Sequence, residues 1–226
     1  MRLIAFDTAT EWCTAALWVD GEISFREERA GQRHSELLVP MVMELLAESG
    51  LSLKQLDGLA YGMGPGSFTG LRIACGVAQG LALGADLPVL GVSTLEALAE
   101  EAWTARGADK VLACLDARMN EVYGGLYQRH DKAWSCLTGP VVCPPEAIPM
   151  PSTPGFVGVG PGFAAYPQLV VLGENHLAGI EAGLFPHARA IAQMGAPRFA
   201  EGQGLPPEAA EPVYIRDKVA LKICER

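Results

Sequence analysis

A chain of 226 residues, half of them hydrophobic, can bury the core of one large domain or two small ones. Its 17 Lys and Arg against 26 Asp and Glu exclude unaided binding to nucleic acid, which rests on cationic contacts to phosphate, so any RNA role needs a basic partner. Cys13, Cys75, Cys114, Cys136, Cys143 and Cys224 lack the close spacing of a zinc or redox motif and read as buried, reduced thiols of a cytosolic protein. Asp7 interrupts the first apolar run early, which argues against a signal peptide, and no run reaches the ~20 apolar residues that span a bilayer.

Arg2 to Asp7 reads as a buried strand with a carboxylate at its end, facing a cleft. After the turn Thr8 to Glu11, Cys13 to Val19 returns as a second strand. Asp20-Gly21 is a hairpin signal, and Glu22 to Arg29 is a third strand. Ser35 to Glu48 is a helix stopped by Gly50, with Pro40 expected to kink it or to mark its true first turn. Leu56 to Tyr61 is a short strand.

Next comes Tyr61-Gly62-Met63-Gly64-Pro65-Gly66-Ser67-Phe68-Thr69-Gly70-Leu71-Arg72, a glycine-rich loop opening into a helix. Ser67 and Thr69 are candidate N-caps. Two readings stand side by side. Gly64, Gly66, Ser67, Thr69 and Gly70 form a nucleotide or anion loop, because free helix amides attract phosphate, or they form a turn with nothing bound.

The helix, from about Thr69 to Leu83, puts Leu71, Ala74, Ala78, Leu81 and Ala82 on one face, toward a sheet. Arg72, Ile73, Gly76, Gln79, Gly80 and Leu83 share the other, with Gly76, Gly80 and Gly84 in a ridge. Mid-helix glycines cost roughly 1 kcal/mol each against alanine, so close approach of another backbone is the expected compensation. Either the helix packs wholly inside its own domain, or it and the helix at Ser35 to Glu48 expose an apolar surface for another protein. The residues expected in that surface are Leu37, Met41, Leu45, Arg72, Ile73, Gly76, Gly80 and Leu83.

Pro88 to Val92 is a strand, and Ser93 with Glu96 forms a capping box for a helix ending near Ala105. Strands are expected at Lys110 to Leu115, Glu121 to Gln128, Ala133 to Leu137, Gly155 to Gly160 and Gln168 to Leu172. Pro140 to Pro154 reads as a surface connection, Pro186 to Met194 as a helix start and Phe199 to Pro207 as a flexible segment. No internal repeat is visible. The order βββ-α-β-α-β-α matches the ribonuclease-H-like half of an actin/hexokinase-type domain. The expected fold is therefore α/β, with two such domains of mixed sheets flanked by helices. The expected boundaries are 1–106, carrying the two docking helices, and 107–226, the last segment packing back on the first domain.

Five ordered motifs carry a resemblance over nearly the whole chain: Asp7 to Thr10, Gly64 to Ile73, Gly91 to Leu95, Asp116 to Tyr123 and Pro212 to Asp217. They resemble the bacterial TsaB family, tRNA threonylcarbamoyladenosine biosynthesis proteins related to the glycoprotease-like TsaD. Met63 stands where that family usually has arginine. The resemblance implies a non-catalytic cytoplasmic scaffold that binds the TsaD-type catalytic subunit. TsaD acts with the TsaE-type ATPase to modify the adenosine beside the tRNA anticodon. It also implies pairing, with TsaD or as a homodimer, through the two helices named above; tRNA contact only through the complex; and ATP or ADP at the shared interface.

Two catalytic alternatives were weighed against it. The metal-binding relative carries His-x-x-x-His where this chain has Thr94 and Leu98, and Leu98 cannot bind a metal. His34, His130, His176 and His187 show no ligand spacing, so neither an intrinsic metal nor a metallopeptidase activity is expected. A sugar- or acetate-kinase-like ATPase needs a glycine in the first turn for phosphate approach, and this chain has Ala9. Ser67 lies outside a Gly-x-Ser-x-Gly elbow and is expected to cap rather than attack.

Overall fold

The computed structural model describes residues 1–216. Asp217 and Cys224 therefore lie outside the described residues. Strands β1 (Arg2–Asp7), β2 (Trp12–Val19) and β3 (Glu22–Arg29) form an antiparallel meander, with β4 (Gly58–Gly64) and β5 (Val89–Ser93) added in parallel. The sheet order is β3-β2-β1-β4-β5. Successive residues of β1 point to opposite faces, and both faces are covered, so the strand is buried almost throughout. Ile4 and Phe6 meet helices α1 (His34–Glu48) and α2 (Phe68–Ala85) in one core. Leu3 and Ala5 meet α3 (Thr94–Arg106) and α6 (Ala188–Ala200) in another.

The second sheet repeats the plan. Strands β6 (Lys110–Arg118), β7 (Glu121–His130) and β8 (Ala133–Cys143) are an antiparallel meander, and β9 (Val157–Val159) and β10 (Gly179–Glu181) join in parallel. Its order, β10-β9-β6-β7-β8, is that of the first sheet. The chain is thus an α/β protein built of two actin/hexokinase-like halves. The expectation of no repeat holds for residues and fails for topology, because matching topology requires only matching patterns of apolar and polar positions.

Two further expectations are corrected. Gln168 to Leu172 is part of a helix, α5 (Pro167–Gly173), following the short α4 (Pro161–Ala165). Pro167 starts the helix with its φ already suited, and Leu169 anchors it in the core, which outweighs the strand preference of Val170 and Val171. Cys136 is exposed and Cys143 half-buried, although Cys13, Cys75 and Cys114 are buried free thiols. α1 runs continuously through Pro40, which lies on its exposed side.

Among the described residues, four ion pairs tie α3 into the molecule. Glu96 and Glu101 pair with Arg198 and Arg189 of α6, Glu100 with Arg129 of β7, and Arg106 with Glu181 of β10. The Arg129 guanidinium also lies over the rings of Trp103 and Trp134. α6 is further fixed by His187, whose Nδ1 accepts from the Arg189 N–H at 3.0 Å and whose Nε2 reaches Glu27 of β3 at 3.0 Å. Burial, then the charge of Arg189, pushes His187 down to about 4, so it donates to Glu27 as a neutral ring near pH 7. α2 is long and apolar enough to cross a bilayer by length and composition; a third of it is buried inside this fold.

Candidate functional site

Two features converge at the start of α2: the glycine loop beneath it and an outward face along it. Ser67 is the N-cap, its Oγ accepting from the Gly70 N–H at 3.3 Å. The Ser67 N–H donates to the carbonyl of Ala9 at 2.8 Å, and Thr8 Oγ1 donates to the Gly70 carbonyl at 2.7 Å. The loop is thereby clamped to the β1–β2 turn from both ends.

Its glycines are explained by this clamp. A Cβ on Gly70 would strike the Thr8 carbonyl oxygen, and one on Gly66 would lie 2.6 Å from the Ala9 oxygen. Gly64 has φ +119°, and a Cβ there would lie 2.6 Å from the carbonyl oxygen of Val213. Gly62 leaves room for the carboxyl of Asp7. The close approaches are to the chain itself. Among the described residues, the loop amides left without a protein acceptor are those of Gly66, Phe68 and Thr69.

Asp7 does not face a cleft, as its position at a strand end suggests. It is fully buried; its Oδ1 accepts from the Ala9 N–H at 3.0 Å and its Oδ2 has no partner among the described residues. Burial pushes its carboxyl up to about 7, with the Ala9 bond opposing.

The second feature is the outer face of α2. Leu71, Ala74, Cys75, Ala78 and Ala82 turn inward as the periodicity requires. Gly76, Gly80 and Gly84 are exposed, and a Cβ on any of them would meet nothing within 4 Å. Their ridge is a shallow trough in open solvent. Leu83 beside it is 75% exposed, and Leu37, Ile73, Val77 and Leu81 are half-buried.

Met41 and Leu45 are a correction. Both are buried in the core beneath α1, so neither lies on the outer face. The outward apolar residues of α1 are Val39 and Met43, the latter 49% exposed. A strict 3.6-residue reading would have found them, since Leu38, Met41, Val42, Leu45 and Leu46 already fill the inward stripe.

At the amino end of α2, the Arg72 guanidinium lies 3.8 Å over the Phe68 ring and its Nε donates to the Tyr214 hydroxyl at 3.0 Å. Phe68 and Tyr214 are both exposed, with ring centroids 5.2 Å apart. Phe68 and Tyr214 were missed because their neighbours are set by tertiary contact across 146 positions of sequence (214 − 68). Tyr214 belongs to a strap, residues 210–216. The Val213 N–H donates to the Met63 carbonyl at 2.7 Å, the Ala210 carbonyl accepts from Gln79 Nε2 at 2.9 Å, and Arg216 pairs with Glu121 of β7. The strap borders a cleft of about 1070 Å³ between the two halves, whose walls include the stacked rings of Trp12 and Phe185.

Thr94 is buried with its hydroxyl donating to the Pro65 carbonyl, and Leu98 is buried in the core. Among the described residues, no three His, Cys, Asp or Glu side chains are grouped as metal ligands.

A protein of Escherichia coli K12 named tRNA threonylcarbamoyladenosine biosynthesis protein TsaB is 45% identical, covering 98% of this chain and 97% of its own. The chain belongs to the TsaB family. A TsaB-named protein of Haemophilus influenzae is 39% identical over 98% of this chain and 96% of its own. The family model described as TsaD, tRNA N6-adenosine threonylcarbamoyltransferase, matches residues 26–177 of this chain. The structure of YeaZ from Pseudomonas aeruginosa is 39% identical with a TM-score of 0.86, covering 94% of this chain and 99% of that one. A second Pseudomonas aeruginosa crystal structure, described as similar to peptidase YeaZ, is 38% identical with a TM-score of 0.88, covering 95% and 99%.

Proposed function

We propose that this chain is a non-catalytic cytoplasmic scaffold for tRNA threonylcarbamoylation, docking the TsaD-type catalytic subunit on the outer faces of α1 and α2. The carrying observation is the open ridge of Gly76, Gly80 and Gly84, which none of the described residues fills. Glycine at such positions weakens an isolated helix, and a second helix laid along the trough recovers that loss by close packing. Half-buried Ile73, Val77 and Leu81 and exposed Val39, Met43 and Leu83 supply apolar contact, and Phe68, Arg72 and Tyr214 supply an aromatic and arginine anchor of the kind that dominates interface energetics. The same face, being self-complementary in principle, pairs two copies of this chain when the catalytic subunit is absent. The TsaE-type ATPase and tRNA act through the complex, in keeping with the formal charge of −9. ATP or ADP would bind at the shared interface, where the Gly66, Phe68 and Thr69 amides offer anion contacts. The buried Thr94 and Leu98 support a non-catalytic role, since neither can present a metal ligand pair.

The test is Gly76→Leu, which fills the trough without touching the core. The expected result is a stable, folded chain that fails to pull down the TsaD-type subunit and fails to restore tRNA modification in a reconstituted system. Unchanged affinity would place the interface elsewhere.

A further inference from the structure

The loop clamp contains a titratable group that the docking role does not use. Asp7 ends β1, and the next two residues form the turn whose Thr8 hydroxyl and Ala9 carbonyl hold the two ends of the glycine loop. Its carboxyl is 0% exposed and, among the described residues, has a single donor, the Ala9 N–H, while Oδ2 has none. The elements packed against it bring little charge. β2 brings Cys13, whose thiol is pushed up to about 12 by burial and then by the charge of Asp7, with Glu28 of β3 adding to it. β4 brings Gly62 and α3 brings Thr94, and neither side chain ionises near neutral pH. Among the described residues, no cation contributes to the carboxyl's ionisation. A neutral carboxyl is tolerable in such a site; a carboxylate with one donor is not, and admitting water relieves it. Gly62 and Thr94 close off the sheet side of the carboxyl, so the non-sheet part that can yield is the Thr8–Ala9 turn.

We propose that Asp7 is a proton-operated latch: its neutral carboxyl seats the Thr8–Ala9 turn that clamps the glycine loop and the first turn of α2, and its ionisation loosens that clamp. Phe68 and Arg72 stand on that turn of helix, so the protonation of an internal group reaches the outer surface. The sign follows from the direction of the shift. The closed form holds the proton more tightly than an opened, hydrated one, so opening becomes more favourable as pH rises from the ordinary aspartate range to about 7 and levels off above it.

Amide hydrogen exchange of the isolated chain, corrected for the intrinsic pH dependence, tests this. Protection of the Gly70 and Leu71 amides should fall about tenfold between pH 6 and pH 8 in the wild type and stay level in Asp7→Asn. Thr8→Val, which deletes one clamp bond without a charge, should lower protection of the same amides already at pH 6. The carboxyl carbon shift of Asp7, read in the wild type, keeps the proposal testable if Asp7→Asn does not fold. A midpoint below pH 5, or an equal loss of protection in Asp7→Asn, overturns it. The readouts need no partner, so failure here leaves the docking reading standing, and failed docking leaves the latch standing.

Discussion

Seven of the eight glycines from β4 through α2 (all but Gly58) fall into two sets that look alike in sequence and differ in structure. Gly62, Gly64, Gly66 and Gly70 are each required by an atom of the same chain: the Asp7 carboxyl or the backbone of Val213, Ala9 and Thr8. Gly76, Gly80 and Gly84 are required by nothing among the described residues. The first set is a matter of folding, and its glycines are absent side chains under an internal clamp. The second leaves a trough at the surface that the other described residues do not account for. A glycine-rich stretch therefore does not identify a ligand site until one knows what occupies the space where each Cβ would be.

Breaking the first set should have the largest effect. Gly70→Ala drives a Cβ into the Thr8 carbonyl, which can move only with the turn, and should cost more than about 3 kcal/mol in urea unfolding. Next comes the floor of the clamp. Asp7 is raised from the ordinary aspartate value to about 7, so the native state gains stability from its proton below the unfolded value and loses it as pH rises to about 7. Asp7→Asn keeps the oxygen that accepts from Ala9 and carries no charge, so it should stabilise the fold by about 3 kcal/mol at pH 8. Thermal melts at pH 5 and pH 8 should show that difference shrinking at the lower pH.

The second set should behave in the opposite way. Gly80→Ala meets no neighbour and improves helix propensity, so the melting temperature should rise by the equivalent of about 0.5–1 kcal/mol. Gly76→Leu should leave stability within about 0.5 kcal/mol of the wild type while abolishing pairing, which separates the two sets in a single variant. A large loss of stability in either helix variant would erase the distinction.

The first half was legible because its signals are local. The Asp20-Gly21 turn, the Ser93–Glu96 cap and the inward stripe of α2 each depend on neighbours in sequence. The second half was less so. α5 carries a β-branched run whose helical state is decided by Leu169 in the core and Pro167 at its start. β8 runs on to Cys143 with register shifts against β7, where Pro140 had been read as the start of a surface connection. At the candidate site, the ridge glycines and the cap were readable, while Met41 and Leu45 were assigned outward although the helical period already placed them inward. The Phe68, Arg72 and Tyr214 cluster depends on the strap bringing residue 214 back to α2, which no local pattern encodes.

The position of α6 sets the order in which the molecule can be completed. Ile191 and Met194 of that helix sit in the core with Leu3, Ala5 and Leu90, and Gly195 lets it lie close to Leu3 and Ala60. On a ribosome, β1 to β5 and then α3 would emerge with the part of that face that α6 covers still bare, and it would stay so while about a hundred more residues were made. The earliest part of the chain to be synthesised is thus among the last to be finished, and nascent chains stopped short of residue 188 would be natural clients for chaperones.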